Sequence, residues 1–175
     1  MSRRYKKPIY RNKDKYSIEN RIVQTNTVVN WDDVDATDTI NSGKQTSFVI
    51  IPQTDVQGMR KCKHFTLTFT CAGNTGEFLP LYYALVYVPE GYGVNRVNIP
   101  KYATTSSVSP YEPNQFVISQ GMLDFSGGPL RVRSPLSRNL NSGDSIWLVF
   151  AYSNAWGTPN TYGINATISY AISLQ

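Results

Sequence analysis

From Tyr162 to Leu174 the chain alternates without a break. Tyr162, Ile164, Ala166, Ile168, Tyr170, Ile172 and Leu174 take one set of positions, and Gly163, Asn165, Thr167, Ser169, Ala171 and Ser173 take the other. Successive side chains of a strand point to opposite faces, so this is an extended segment with one apolar face. A slip of one residue would turn the whole apolar set to water, which fixes the register as well as the conformation. A chain built around such a segment must cover that face with a second layer.

The rest of the sequence supplies the layer as more strands. Residues 60–72 place Phe65, Leu67, Phe69 and Cys71 on one face and Cys62, His64, Thr66, Thr68 and Thr70 on the other. Residues 81–88 (LYYALVYV) and 146–152 (IWLVFAY) are apolar on both faces, as central strands with a covered outer face would be. No run of apolar residues recurs at helical spacing, so a neighbouring subunit is the simplest cover expected for those outer faces. Eight strands are predicted, over residues 18–30, 45–51, 60–72, 81–88, 114–120, 129–133, 145–153 and 162–174, separated by Gly, Pro, Asn and Ser turns. Long connections, including residues 89–113, favour an all-β jelly roll over an immunoglobulin-like sandwich. Lettered B to I in order, the strands of that wiring form a BIDG sheet and a CHEF sheet. Its central pairs, I with D and H with E, are the four strands with the strongest patterns.

Charge divides the chain differently. The first 21 residues carry eight of the 17 Lys and Arg (Arg3, Arg4, Lys6, Lys7, Arg11, Lys13, Lys15 and Arg21) against Asp14 and Glu19, a net of +6. The remaining residues carry nine basic and ten acidic groups, a net of −1. Two domains in the functional sense follow: a basic arm over residues 1–21 and a shell of strands over residues 22–175. A block of like charge repels itself and seeks a polyanion. Its cations alternate with Tyr5, Tyr10 and Tyr16, so phosphates can be neutralised while rings stack on unpaired bases. Arg131 and Arg133 share the outward face of their strand, opposite Leu130 and Val132, and Arg138 follows in the next loop; all three are candidates for an additional basic surface. The whole chain is only 17% charged, below the roughly 25% of an ordinary soluble domain, as befits a body whose surface meets other protein.

Other chemistry is thinly represented. His64 is the only histidine and reads as solvent-facing or interfacial. Cys62 and Cys71, at an odd spacing on one strand, are expected on opposite faces as reduced fillers, and no zinc set can be assembled. No nucleophile elbow, phosphate loop or metalloprotease helix motif occurs, so no enzymatic activity and no cofactor are expected. Asp32, Asp33, Asp35 and Asp38 form a candidate oxygen-ligand cluster for calcium, although the EF-hand spacing of Gly and Glu is missing. Residues 1–21 lack the apolar core of a secretory signal, and no run reaches the ~20 apolar residues of a membrane helix, so the chain is expected to be made inside a cell and to have no membrane partner.

Three stretches carry a resemblance. Residues 85–91 (LVYVPEG), residues 109–118 (SPYEPNQFVI), and residues 128–132 (GPLRV) followed by 134–144 (SPLSRNLNSGD) resemble segments of capsid proteins from small circular, replication-initiator-encoding single-stranded DNA viruses, the circovirus-like group. The small size is also similar to satellite necrosis virus-type capsids. The resemblance implies a virion component: about 60 identical copies in a T=1 icosahedral shell, with the arms inside on the genome and assembly in the host nucleus. Sixty arms at +6 would supply about +360, which offsets only part of a genome of a few thousand phosphates. Typical circovirus arms are longer and denser in arginine than this one, which mixes Lys, Arg, Tyr and acids and so leaves an RNA genome open beside the favoured DNA. The leading expectation is therefore a self-assembling capsid protein that packages single-stranded nucleic acid. Its rivals are a carbohydrate-binding jelly roll, using aromatics such as Trp31, Trp147 and Trp156, and a satellite RNA virus capsid. A cupin-type enzyme would need several His and carboxylate ligands, which one histidine cannot provide.

Overall fold

A computed structural model describes residues 16–29, 45–73, 81–94, 116–123, 128–152 and 160–174. Nine strands appear in them: β1 (Ser17–Val29), β2 (Gln45–Ile51), β3 (Arg60–Gly73), β4 (Leu81–Val88), β5 (Phe116–Leu123), β6 (Leu130–Ser134), β7 (Arg138–Leu140), β8 (Ser145–Tyr152) and β9 (Asn160–Leu174). They form two antiparallel sheets. One has the order β1-β9-β3-β6, with β7 also on β3, and the other has the order β2-β8-β4-β5. Only β4 and β5 are both sequence neighbours and partners across the sheet path; the other successive long strands pass from one sheet to the other. That is the expected jelly-roll wiring, with I on D and H on E at the two centres.

The core lies between the sheets. Phe65, Leu67 and Phe69 of β3 and Ile164, Ile168 and Tyr170 of β9 meet Tyr83 and Leu85 of β4 and Ile146, Leu148 and Phe150 of β8. Phe69 reaches both partners of the opposite sheet, with ring centroids 4.7 Å from Tyr83 and 6.0 Å from Phe150. The edge strands β5 and β6 are joined across the gap by the Ser134 hydroxyl, which donates to the Ile118 carbonyl at 2.8 Å.

Several expectations change. Lys63 pairs with Ala171 and Thr66 with Ser169, so His64 and Phe65 together oppose Tyr170 alone. This is a β-bulge, with His64 in left-handed backbone at φ +58°. The bulge shifts the phase of everything before it. Cys62, expected on the outward face with His64 and Thr66, is instead fully buried with Phe65 and Leu67. It is a free thiol. The side chain of Cys71 is outside the described residues. About nine residue rises of ~3.3 Å along β3 still hold the two cysteines too far apart to pair, so strand length rather than opposite facing separates them.

Strand β5 runs on through Gly121, where the sequence pattern stops. Gly121 lies opposite Tyr83, and a Cβ there would come 2.9 Å from the Tyr83 ring. The glycine is a notch for the phenol rather than a terminator. Strand β7 falls in what reads as a loop. It pairs Arg138 with Cys62 and Leu140 with Arg60, continuing along β3 the line that β6 begins at Phe65 and Phe69. The two pieces are one edge strand broken at Pro135, which has no N–H to donate.

The expected neighbouring subunit is not needed to cover the outer face of the second sheet. Ala84, Val86 and Val88 of β4, Val117 of β5 and Val149 of β8 form a second apolar cluster already buried within a single chain, with Val94 and Trp147 packed against it.

Candidate nucleic-acid interface

Direct partners in an antiparallel sheet share a face, so register alone assembles the outer surface of the β1-β9-β3-β6 sheet. Asn20 faces Ser169, which faces Thr66, which faces Arg133. The next row runs Ile22, Thr167, Thr68 and Arg131. The surface thus has hydroxyl and amide groups at its centre, exposed Ile18 and Ile22 along its β1 edge and two guanidiniums along its β6 edge. Arg131 and Arg133 are both exposed, as the alternation in β6 requires, while Val132 packs toward the core. Among the described residues, no carboxylate lies within ion-pair distance of either arginine; the ion pair found there is Arg21 with Glu19 at 3.9 Å.

A third row brings in the basic segment. Ile18 faces Ala171, which faces Lys63. The Lys63 ammonium sits 3.5 Å above the centre of the Tyr16 ring. Such a contact contributes about 0.5–2 kcal/mol and fixes the residue that leads into β1 on this same face. The basic segment therefore joins the body beside Lys63. Its predicted contacts Arg3, Arg4, Tyr5, Lys6, Lys7, Tyr10, Arg11, Lys13 and Lys15 lie outside the described residues, as do Asp32, Asp33, Asp35, Asp38, Trp31 and Trp156.

Arg21 belongs elsewhere than the arm. It is a β1 residue on the face that also carries buried Val23. The Tyr170 hydroxyl donates to Glu19 Oε2 at 2.7 Å, and Arg21 closes the group through the same oxygen. The strand starts five residues before the expected body boundary, because Ser17 already pairs with Ile172. Ile18 and Ile22 consequently face outward, 77% and 72% exposed. The apolar residues of β1 gave no inward pattern to follow, since its inward set includes Glu19 and Arg21.

Arg138 is also reassigned. As the direct partner of buried Cys62, it lies on the inner side of its sheet and does not extend the Arg131–Arg133 surface. It stands at the end of the sandwich, where Arg60 donates to the carbonyls of Pro52 at 2.9 Å and Asp144 at 3.1 Å. The buried Asp144 carboxylate accepts from the Tyr87 hydroxyl at 2.9 Å and from the backbone N–H groups of Glu90 at 3.0 Å and Asn141 at 2.7 Å. Asp144 reads in the sequence as an ordinary turn acid; its three converging donors come from nearby Asn141, from Tyr87 of β4 and from Glu90 in the turn after β4, which no local pattern reveals.

Burial pushes the Cys62 thiol up to about 12, and burial followed by the bond to Glu19 pushes the Tyr170 phenol up to about 12. Both folded values exceed the ordinary ones, 9.0 and 10.0. The stabilisation is therefore complete below about pH 9 and is lost as pH rises through about 12, because the unfolded chain releases these protons first. The rise at Cys62 corresponds to roughly 4 kcal/mol and that at Tyr170 to roughly 3 kcal/mol. The expected result is alkaline unfolding between pH 9 and 12, with the last tyrosinate absorbance, defined by difference from Tyr170→Phe, appearing together with the loss of the circular dichroism signal. Ionisation of Tyr170 near pH 10 in a still-folded protein would contradict it.

The class of protein that these features define is a two-sheet jelly roll with a hydroxyl-rich, cationic outer sheet face and a basic segment attached to that face. No family model matches the chain, and no curated protein matches it. Among solved structures the chain is similar to one from Israeli acute paralysis virus, a full particle heated to 63 degrees, at 12% identity and a TM-score of 0.44, covering 100% of this chain and 85% of that one. The assignment of the fold rests on the strand pairing above.

Proposed function

We propose that this chain is the subunit of a small icosahedral capsid, in which copies of the jelly roll tile into a closed shell and the basic segment holds single-stranded nucleic acid. The observation that carries this reading is the placement of Tyr16 on Lys63: the basic segment enters on the same sheet face that presents Arg131 and Arg133. A tail that served only solubility has no need of a cationic landing surface. The cations neutralise phosphate, and the Thr, Ser and Asn rows offer neutral hydrogen-bonding groups between them. Nothing on this face reads a base sequence, so the strand is bound for its charge and its unpaired bases. Single-stranded DNA is the favoured genome on the sequence resemblance, with about 60 copies per shell and the host nucleus as the place of assembly. The role is structural rather than catalytic.

The test compares the full chain with a chain lacking residues 1–15. Mass measurement, electron microscopy and the ratio of ultraviolet absorbance at two wavelengths are read on both. The full chain is expected to form closed particles with the absorbance of a nucleoprotein, and the shortened chain to lose most of that nucleic acid. Monomers from both chains, with no oligonucleotide binding at low salt, would refute the reading.

A further inference from the structure

The broken edge strand leaves a gap beside the bulge. On β3, Cys62 is paired with Arg138 and Phe65 with Ser134, so among the described residues Lys63 and His64 have no partner on that side. Pro135 carries the chain away from the ladder between β6 and β7. The gap is an open cleft of about 380 Å³ lined by His64, Phe65, Thr66, Arg133, Ser134 and Pro135. A bulge and a left-handed non-glycine residue at the same point are features that cluster at binding sites.

We infer that this cleft is a subsite for one nucleotide of the bound strand, with its phosphate on Arg133 and Thr66 and its base against the His64 imidazole. This rests on the reading of the outer face as a nucleic-acid surface and adds a defined seat to it. Arg133 brings a planar fork of donors suited to phosphate, and no acid among the described residues competes for it. Thr66 is its direct cross-strand partner and adds a hydroxyl. His64, exposed and held off the regular ladder, supplies an aromatic plane on which an unpaired base can stack. Lys63, next in the chain, holds Tyr16, so the basic segment begins within one residue of the cleft. Arg131 provides an internal comparison: it has the same charge on the same face, two residues away, and does not line the cleft.

The experiment measures binding of a labelled oligothymidylate to the full chain by fluorescence anisotropy over a range of salt. Four variants are compared: Arg133→Gln, Arg133→Lys, Arg131→Gln and His64→Asn. Asparagine is chosen because it tolerates left-handed backbone. Arg133→Gln is expected to weaken binding by about five- to tenfold and to reduce the slope of log affinity against log salt by about one. Arg133→Lys should keep the slope and recover only part of the affinity. His64→Asn should weaken binding by about threefold without changing the slope, as loss of a neutral stacking plane would. Arg131→Gln, which removes a cation of the same face outside the cleft, should weaken binding by about two- to threefold, less than Arg133→Gln does. Thymidine monophosphate should displace the oligonucleotide from the unaltered chain at lower concentration than inorganic phosphate. Equal effects of Arg133→Gln and Arg131→Gln, an unchanged His64→Asn, or equal displacement by phosphate and nucleotide would each overturn the inference. If the unaltered chain forms particles and binds oligonucleotide while the cleft variants match it, only the cleft fails. If the unaltered chain neither assembles nor binds, the functional reading has failed first.

Discussion

Asp144→Ala is expected to lower the stability of the fold by about 3–5 kcal/mol, read as a fall in the urea midpoint at constant slope. The side chain is buried and accepts three hydrogen bonds, from Asn141, Glu90 and Tyr87. Alanine removes every acceptor at once. Each buried donor left without a partner costs about 1–3 kcal/mol, and the three are close enough for water entry to recover part of that. The damage should spread along the end of the sandwich. The same turn is held to the β2–β3 connection by Thr54, whose N–H donates to the Ser142 carbonyl at 2.7 Å, and by Arg60, which bridges Pro52 and Asp144. Asp144→Asn should cost about half as much, because one oxygen can still serve Tyr87 and Asn141 while the amide opposes the Glu90 N–H. A loss below about 1 kcal/mol for the alanine variant would mean that the network carries none of the fold's stability.

Phe69→Ala should destabilise by a similar amount, about 3–5 kcal/mol, by a different mechanism. Phe69 belongs to one sheet, while Tyr83 and Phe150, the rings that it touches, belong to the other. Its removal takes apolar contact from both layers and leaves a cavity that extended backbone cannot collapse to fill. Thr68→Ala, one residue earlier on the outer face, should change stability by no more than about 0.5 kcal/mol. Chemical denaturation of the two variants side by side separates core from face. If they proved equal, the inward and outward assignment of β3 would be wrong.

That assignment shows what the sequence makes legible. Alternation in β9 and the second half of β3, together with the doubly apolar runs of β4 and β8, fixes the central pairs, and the jelly-roll wiring follows from them. Features that add or interrupt a single residue are harder to read. Cys62 and Phe65 are three apart, a break in period two that signals the bulge, but the alternation of His64, Thr66 and Thr68 masks it. Gly121 looks like a stop because its purpose lies on another strand, at Tyr83. Strand β7, at three residues, is too short to carry a period. Arg21 and Glu19 sit within a run of charge, so their partner Tyr170, some 150 residues away, is invisible locally. The outward facing of Arg131 and Arg133 is plain from their alternation with Leu130 and Val132. The cleft beside them was not, because it depends on a bulge in one strand and a proline in another.

Strand β1 pairs along its full length with β9, from Ser17 on Ile172 to Val29 on Asn160. A ribosome therefore releases the basic segment and its own strand long before it makes the strand that anchors them. The Ser, Thr and Asn rows beside Arg131 and Arg133 are completed only when β9 slots between β1 and β3. Until translation reaches that point, the nascent polypeptide has cations but no finished platform, so under the proposed function a polyanion could be held on this surface only after β9 is in place.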